Sequence, residues 1–157
     1  MLPRLYLETT IPSYLVARLS RDLRMMADQE ITRRWWEKCR ADYEVFISEL
    51  VLEEAVKGDA EMAAERLKAL ADVPQLAQRP EADELGGLIL KREIIPAVAS
   101  PDAAHIALAA VHGMDYLLTW NCKHIANPRN RSRLEAACGE AGFRCPNICT
   151  PYVLLGN

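Results

Sequence analysis

Short apolar segments alternate with longer amphipathic segments along this chain. Residues 5–7, 43–48, 116–120 and 146–150 have the length and composition of strands. Between them, apolar residues recur three and four positions apart, which predicts helices. Strands separated by helices predict an α/β fold with a mainly parallel central sheet, and the ligand site of such a sheet lies at the carboxyl ends of its strands.

Residues that favour helix ends set the expected boundaries. Thr9 or Thr10 caps a first helix that contains Pro12 in its first turn and continues to Leu19, and a second helix covers residues 22–39. Further helices are predicted at 49–57, 59–70, 81–92, 102–112 and 134–141, with Ser48 as a cap, Asp59 at the start of its helix, and Gly58 and Gly113 as stops. Residues 73–80 are predicted to be a connector.

The composition predicts one folded domain that spans residues 1–157. Half of the residues are hydrophobic, the formal net charge is −3, and no apolar run reaches the roughly 18 residues that a membrane helix needs. The first residues have a strand pattern and do not resemble a secretory signal. Five cysteines, an odd number, do not fit a disulfide framework. Together these features predict a cytoplasmic protein without a membrane segment.

Four polar side chains occupy places that a parallel sheet would bring together. Glu8 ends the first strand, Glu54 lies in the helix after the second, Asp102 opens a later helix, and Asn121 follows the strand at 116–120. Carboxylates that lie close together repel each other unless a cation lies among them. Oxygen ligands without a set of His and Cys favour Mg²⁺ or Mn²⁺, and such an ion activates water beside a phosphodiester.

Most of these residues also have a purely structural interpretation. Asp102 is an acid that the dipole of a helix N-terminus favours, Glu54 and its neighbour Glu53 fit an exposed helix face, and Asn121 fits the start of a turn. Glu8 is the exception, because a carboxylate at the end of a core strand is costly to desolvate without a positive charge or hydrogen-bond donors beside it. Glu8 therefore contributes most to the prediction of a metal site.

Four segments of the chain, taken in order, resemble the PIN-domain proteins of the VapC toxin type. They are YLETTIPSY, SELVLEEAVKGD, PDAAHIALAAVHGMDYLLTWNCKHIAN and CPNICTP, at residues 6–14, 48–59, 101–127 and 145–151. The resemblance implies a three-layer α/β/α fold and a Mg²⁺- or Mn²⁺-dependent endoribonuclease that is the toxin of a toxin–antitoxin pair. It also implies RNA as the substrate and a cognate antitoxin as the inhibitory partner.

The family's motif assigns roles to residues of this chain. The resemblance implies that Glu8, Glu54 and Asp102 hold the metal and its water, and that Asn121 orients that water or a phosphate oxygen. Supporting hydroxyl groups are expected from Thr9 and Thr119. This chain departs from the motif at two positions, because Glu8 replaces the usual Asp and Asn121 replaces an acid that is often Asp. Three carboxylates and one amide are expected to hold a second cation less tightly.

A basic segment follows Asn121 directly. No acidic residue occurs between positions 116 and 134, and four positive charges lie there, on Lys123, Arg129, Arg131 and Arg133. An RNA backbone that passes the metal site would contact these charges. The structural alternative is a solvated loop and helix start.

Other functions and other residues remain open at this stage. The main alternative is a catalytically weak or inactive PIN-like module that binds RNA or a protein partner, and a further one is an acidic-site phosphatase, although the Asp-x-Asp nucleophile motif is absent. His105 is interpreted as a buried helix residue or as a support for Asp102. The cysteines at 138, 145 and 149 lack the paired spacing of zinc sites. Trp35 and Trp36 cannot point the same way on one helix, so one of them is a candidate contact for a homodimer or an antitoxin.

Overall fold

A five-stranded, fully parallel sheet in the strand order β3-β2-β1-β4-β5 forms the centre of the molecule. The computed structural model describes residues 1–156. The strands are β1 (Arg4–Leu7), β2 (Glu44–Ser48), β3 (Gln75–Leu76), β4 (Tyr116–Leu118) and β5 (Asn147–Cys149). The α/β class and the parallel sheet predicted from the sequence are confirmed.

Eight α-helices connect and cover these strands within residues 1–156. They are α1 (Thr10–Val16), α2 (Leu23–Lys38), α3 (Glu49–Ala55), α4 (Ala60–Leu70), α5 (Pro80–Lys91), α6 (Ser100–Val111), α7 (Arg131–Glu140) and α8 (Pro151–Leu154). Helix α1 packs on α2 and α4, and α2 packs on α8, whereas α5 packs on α6 and α7. The helices therefore form two layers, one on each face of the sheet, which completes the three-layer α/β/α arrangement.

The strand order reverses between β1 and β4. From β1 the chain continues through α1 and α2 to β2 on one side, and from β4 it continues through α7 to β5 on the other side. Two neighbouring parallel strands whose connections leave in opposite directions separate at their carboxyl ends and form a crevice there. In the register of the pair, Leu7 lies opposite Leu118, so the residues that follow each of them meet at this crevice.

The two central strands, β1 and β4, are short, and their apolar residues form the middle of the core. Leu5, Tyr6 and Leu7 in β1 and Leu117 and Leu118 in β4 are fully buried. Burial of one Leu side chain contributes about 1.5–3 kcal/mol, so these strands stabilise the sheet although each has at most four residues. No helix within residues 1–156 is both long enough and apolar enough to cross a membrane.

Two short elements were not predicted. Gln75 and Leu76 form β3 inside the predicted connector, and Pro151–Leu154 form α8 after the last strand. Helix α1 ends at Val16 and does not continue to Leu19. A two-residue strand and a one-turn helix carry too few residues to show a period, so their presence depends on contacts from distant parts of the chain.

Two of the predicted helix caps have a different role from the one expected. Asp22 and Asp59, where helices were predicted to start, accept hydrogen bonds from backbone N–H groups of the helices that follow them. Thr9 and Ser48 precede helices, but their hydroxyl groups do not cap them. Both hydroxyls are used in hydrogen bonds near the crevice between β1 and β4 instead.

The two neighbouring tryptophans differ in burial, as the helical spacing requires. Trp35 is fully buried beside Tyr43. Trp36 is half-buried, and the guanidinium of Arg40 lies 4.1 Å from the centre of its ring. Trp36 is therefore largely covered by this chain itself, which weakens the expectation that it is an exposed aromatic contact for a partner.

Candidate metal centre

Glu8 lies directly after β1 and is almost completely buried, with 5% of its surface exposed. Its Oε1 atom accepts hydrogen bonds from the hydroxyl groups of Thr10 and Thr119, the latter at 2.6 Å. Among residues 1–156, no hydrogen bond reaches the second oxygen, Oε2. Two hydroxyl donors reduce the cost of burying the carboxylate, and they leave one of its oxygens available.

Glu54 occupies the last turn of α3 and faces the same crevice. Its Oε1 atom accepts from the Thr9 hydroxyl and interacts with Nε2 of His105, both at 2.6 Å. Its neighbour Glu53 is exposed to solvent, so the choice of Glu54 over Glu53 from the sequence agrees with the burial. Burial raises the pKa of Glu54, but the hydrogen bond and charge of His105 and the hydroxyl of Thr9 lower it below its ordinary value.

Asp102 and Asn121 form a second pair beside the first. Asp102 lies in the first turn of α6, and its Oδ2 atom accepts from the side-chain amide of Asn121 at 3.1 Å. The Asn121 carbonyl oxygen accepts the backbone N–H of His124 at 3.0 Å. The amide nitrogen of Asn121 thus faces Asp102, while its oxygen, the only atom that binds a metal, is held by the loop.

Three side chains that could bind a metal lie close to one another at the crevice. Oxygen atoms of Glu8 and Glu54 and a ring nitrogen of His105 all lie within 4.8 Å of one another, the one such group among residues 1–156. Asp102 lies outside this group. It is connected to it through Asn121, whose backbone N–H donates to the Thr119 hydroxyl at 2.9 Å, and Thr119 donates in turn to Glu8.

The hydroxyl groups of three threonines organise the site. Thr9 and Thr119 were predicted as supporting residues, and they donate to Glu54 and Glu8 respectively. Thr10 was expected only as a helix cap, but its hydroxyl donates to Glu8 and accepts the backbone N–H of Trp120 at 2.8 Å. Thr10 thereby links the residues after β1 to those after β4, a contact between segments 110 positions apart that no local pattern reveals.

His105 is the main residue whose contacts were not foreseen. The sequence places it one helical turn after Asp102 and left two interpretations open, a buried helix residue or a support for that acid. In the structure it contacts Glu54 instead, and its Nδ1 atom lies 2.7 Å from the Tyr6 hydroxyl. The periodicity of α6 predicted its burial, which is complete. It did not predict the partner, because Glu54 belongs to a different helix.

Two of the four basic side chains after Asn121 already bind other groups of the chain, and two are exposed without such contacts. Arg131 pairs with Glu135 at 3.0 Å, and Arg133 donates to the carbonyl of Arg92. The side chains of Lys123 and Arg129 are exposed and form no ion pair with residues 1–156. An open groove of about 570 Å³ lies alongside, and Arg131, Cys122 and Asn147 are among the residues that line it.

The five cysteines are free thiols. Cys138 is fully buried, Cys145 and Cys149 are half-buried, and burial raises the pKa of Cys149 to about 11. A high pKa disfavours the thiolate form that binds metals. The environment of these three residues is that of small core side chains.

The donor atoms at the crevice fit a hard divalent cation. Glu8 and Glu54 each present one oxygen that no residue within 1–156 occupies, and Asp102 provides a third carboxylate close by. Carboxylate oxygens are the ligands that Mg²⁺ and Mn²⁺ prefer, and a nearby imidazole is better tolerated by Mn²⁺.

No protein-family profile matches the chain, and no curated protein matches its sequence.

Proposed function

We propose that this chain is a Mg²⁺- or Mn²⁺-dependent endoribonuclease that hydrolyses phosphodiester bonds of RNA. One observation carries the proposal. Glu8 and Glu54 lie together at the crevice between β1 and β4, and two donors fix one oxygen of each while the other oxygen stays available. A pair of carboxylates held so close together, one of them almost completely buried, suits a site that receives a cation.

Each residue of the site has a distinct part in this proposal. Glu8 and Glu54 hold the cation, with Asp102 as the third carboxylate. Thr9, Thr10 and Thr119 fix the orientation of the two glutamates, and Asn121 fixes that of Asp102. When bound, the cation lowers the pKa of its water and stabilises negative charge on the phosphodiester. Since the cation supplies the activated water, the chain needs no separate histidine base.

Lys123 and Arg129 are the residues that we expect to contact the RNA backbone. Their charges are not neutralised by ion pairs with residues 1–156, and they follow Asn121 closely in the chain. Arg131 and Arg133 also belong to this segment, but their guanidinium groups already bind Glu135 and the Arg92 carbonyl. Phosphate contacts supply most of the affinity for a nucleic acid whose sequence is not read.

The toxin role and its partners form a further part of the proposal. The resemblance of the sequence to VapC-type proteins supports a cytoplasmic toxin with a cognate antitoxin. The exposed apolar side chains of Leu19, between α1 and α2, and of Leu23, the first residue of α2, offer a contact surface for an antitoxin or a second copy of the chain.

A module that binds RNA or a partner without cleaving is the second candidate. The hydrogen bonds of Asn121 favour it, because the oxygen of that side chain is engaged by the His124 N–H and the Asp102 carboxylate lies outside the closest group. Such a site would retain its shape but hold a cation weakly.

Cleavage of mixed single-stranded RNA separates the two candidates. The purified protein is incubated with RNA and Mn²⁺, with Mn²⁺ and EDTA, and as the Asp102→Ala variant, with Asp83→Ala on the exposed surface of α5 as the control. An active nuclease cleaves only with Mn²⁺ and loses activity on Asp102→Ala but not on Asp83→Ala. Cleavage that survives EDTA contradicts the metal mechanism, and RNA binding without cleavage identifies the module.

A further inference from the structure

His105 is held from both sides in the interior of the protein. It is fully buried in α6, its Nδ1 atom lies 2.7 Å from the hydroxyl of Tyr6, and its Nε2 atom lies 2.6 Å from Oε1 of Glu54. The Tyr6 hydroxyl is held in turn by Ser48, at 2.7 Å. A rotation of the ring would leave buried polar atoms without partners, which costs about 1–3 kcal/mol for each group. The ring therefore has one orientation.

The direction of the contact with Glu54 follows from the chemistry of the carboxylate. An ionised carboxylate only accepts hydrogen bonds, so Nε2 of His105 carries the proton and donates it, whether the ring is neutral or charged. The hydroxyl of Thr9 donates to the same oxygen, Oε1. No hydrogen bond from residues 1–156 reaches Oε2 of Glu54. His105 and Thr9 together determine which oxygen of Glu54 is available to a ligand.

A direct metal-ligand role for His105 fits this geometry less well. A ligating ring nitrogen must be deprotonated, and Nε2 is the nitrogen that holds Glu54. If Nε2 lost its proton, the hydroxyl of Thr9 would be the one remaining donor to Oε1 of Glu54 among residues 1–156. A histidine that orients a carboxylate ligand through a short hydrogen bond supports the metal without touching it.

We propose that His105, fixed by Tyr6 and Ser48, is a positioning residue that holds Glu54 with one oxygen open to a divalent cation. This inference rests on the proposed function, because it takes Glu54 as a ligand of that cation. It adds three buried residues, His105, Tyr6 and Ser48, to the set that determines metal affinity.

Mn²⁺ affinity of designed variants tests the proposal. The His105→Leu variant removes the donor, whereas His105→Gln keeps an amide N–H near the position of Nε2. His112→Leu makes the same change at the residue directly after α6 and is the control. Loss of such an orienting partner weakens metal binding about 10–100-fold, so we expect that loss in His105→Leu, a smaller loss in His105→Gln and no loss in His112→Leu. Affinity is measured by electron paramagnetic resonance of free Mn²⁺.

Two results would overturn the positioning role. One is a folded His105→Leu variant that binds Mn²⁺ as tightly as the wild type, and the other is a His105→Gln variant that binds as weakly as His105→Leu. If His105→Leu does not fold, Tyr6→Phe replaces it, since this variant keeps the ring in the core and removes only the hydroxyl that holds Nδ1. Weaker Mn²⁺ binding by Tyr6→Phe supports the role, and unchanged binding contradicts it.

Nuclear magnetic resonance of the metal-free protein separates this inference from the proposed function. We expect a protonated, slowly exchanging Nε2 on His105 in the wild type, and fast exchange in Glu54→Ala. An unprotonated Nε2 would refute the contact itself. If this signature is present and the wild type binds no Mn²⁺, the proposed function fails and the positioning role fails with it. If Mn²⁺ binds and His105→Leu has no effect, only the positioning role fails.

Discussion

Thr119 is the residue that links the pair of Glu8 and Glu54 to the pair of Asp102 and Asn121. It is fully buried, its hydroxyl donates to Glu8 at 2.6 Å, and the same oxygen accepts the backbone N–H of Asn121 at 2.9 Å. Asn121 in turn donates to Asp102. One hydroxyl group thus orients both a carboxylate at the end of β1 and the loop that holds a carboxylate of α6.

Replacement of Thr119 by Val tests this coupling. The change keeps the branched shape but leaves the Asn121 N–H without a partner, so we expect a loss of about 1–3 kcal/mol in the free energy of unfolding. Urea unfolding measures it, with Thr119→Ser, which keeps the hydroxyl, as the control. The coupling is refuted if Thr119→Val is as stable as the wild type and binds Mn²⁺ equally well.

The positions of the site residues were largely predictable from the sequence, whereas their contacts were not. Glu8 was recognised because it follows a buried strand, and Glu54 because it lies in the helix after the next strand. The bond between Glu54 and His105 joins segments 51 residues apart, and no spacing within one helix reveals such a bond. Asn121 was expected to orient the metal's water or a phosphate oxygen, and the sequence did not reveal that its side-chain oxygen accepts the N–H of His124.

At the scale of the elements, Asp115 fastens the beginning of β4 to the beginning of β1. Its Oδ2 atom accepts the backbone N–H of Arg4 at 2.8 Å, and Arg144 pairs with its other oxygen at 2.9 Å. The hydrogen bond from Arg4 and the pairing with Arg144 lower the pKa of Asp115 below its ordinary value of 3.8. This stabilisation is present above pH 3.8 and is lost as the pH falls through the folded-state value.

Substitution of Asp115 by Asn makes that dependence measurable. The side chain is 38% exposed, so solvent screening limits the loss at neutral pH to less than about 1 kcal/mol. We expect the stability difference between wild type and variant, measured by urea unfolding, to shrink as the pH falls from 7 towards 3. Glu65→Gln, on the exposed side of α4, is the control and should show no such trend. A difference that is constant with pH contradicts the role of the charge.

Two glycines test how helix ends are set in this fold. Gly113 follows α6 with a φ of +68°, which an L side chain adopts with strain, whereas Gly139 lies inside α7 with nothing within 4 Å of an added Cβ. We expect Gly113→Ala to lower the free energy of unfolding by about 1 kcal/mol and Gly139→Ala to raise it by about 0.5–1 kcal/mol. Thermal unfolding measures both, and equal signs would contradict the argument.

Helix and strand positions followed from the sequence where an element is long enough to show a period. The helices that begin at Asp22 and Asp59 have side-chain caps as well as apolar faces, and their starts were predicted correctly. β3 has only two residues, and its place was assigned to a connector. It forms because it pairs with β2, where the backbone N–H of Ile47 donates to the carbonyl of Pro74. This contact depends on the position of β2.

On the scale of the whole molecule, the net charge of −3 gives no general affinity for nucleic acid. RNA binding must therefore come from a local group of positive charges, and Lys123 and Arg129 are the members of the basic segment whose side chains form neither an ion pair nor a hydrogen bond with residues 1–156. Electrostatic attraction of this kind is screened over about 8 Å at physiological ionic strength.

Removal of these two charges should weaken RNA binding and its salt dependence together. For Lys123→Ala combined with Arg129→Ala, we expect the slope of log affinity against log salt to become less steep by about 1.4, the value for two contacts to a single strand. Lys38→Ala combined with Lys68→Ala changes the same charge in the last turns of α2 and α4, before β2 and β3, and should leave the slope unchanged. Filter binding at several salt concentrations measures it, and equal slopes for the two double variants would refute the assignment.

The most direct test of the account compares two neighbouring glutamates in one assay. The initial rate of RNA cleavage in Mn²⁺ is measured for the wild type, for Glu54→Gln and for Glu53→Gln, which removes the same charge from an exposed position. Loss of a residue that only orients a ligand costs about 10–100-fold, so loss of the ligand Glu54 should reduce the rate by at least about 100-fold, while Glu53→Gln stays near the wild type. Equal rates for the two variants would contradict a metal centre built on Glu8 and Glu54.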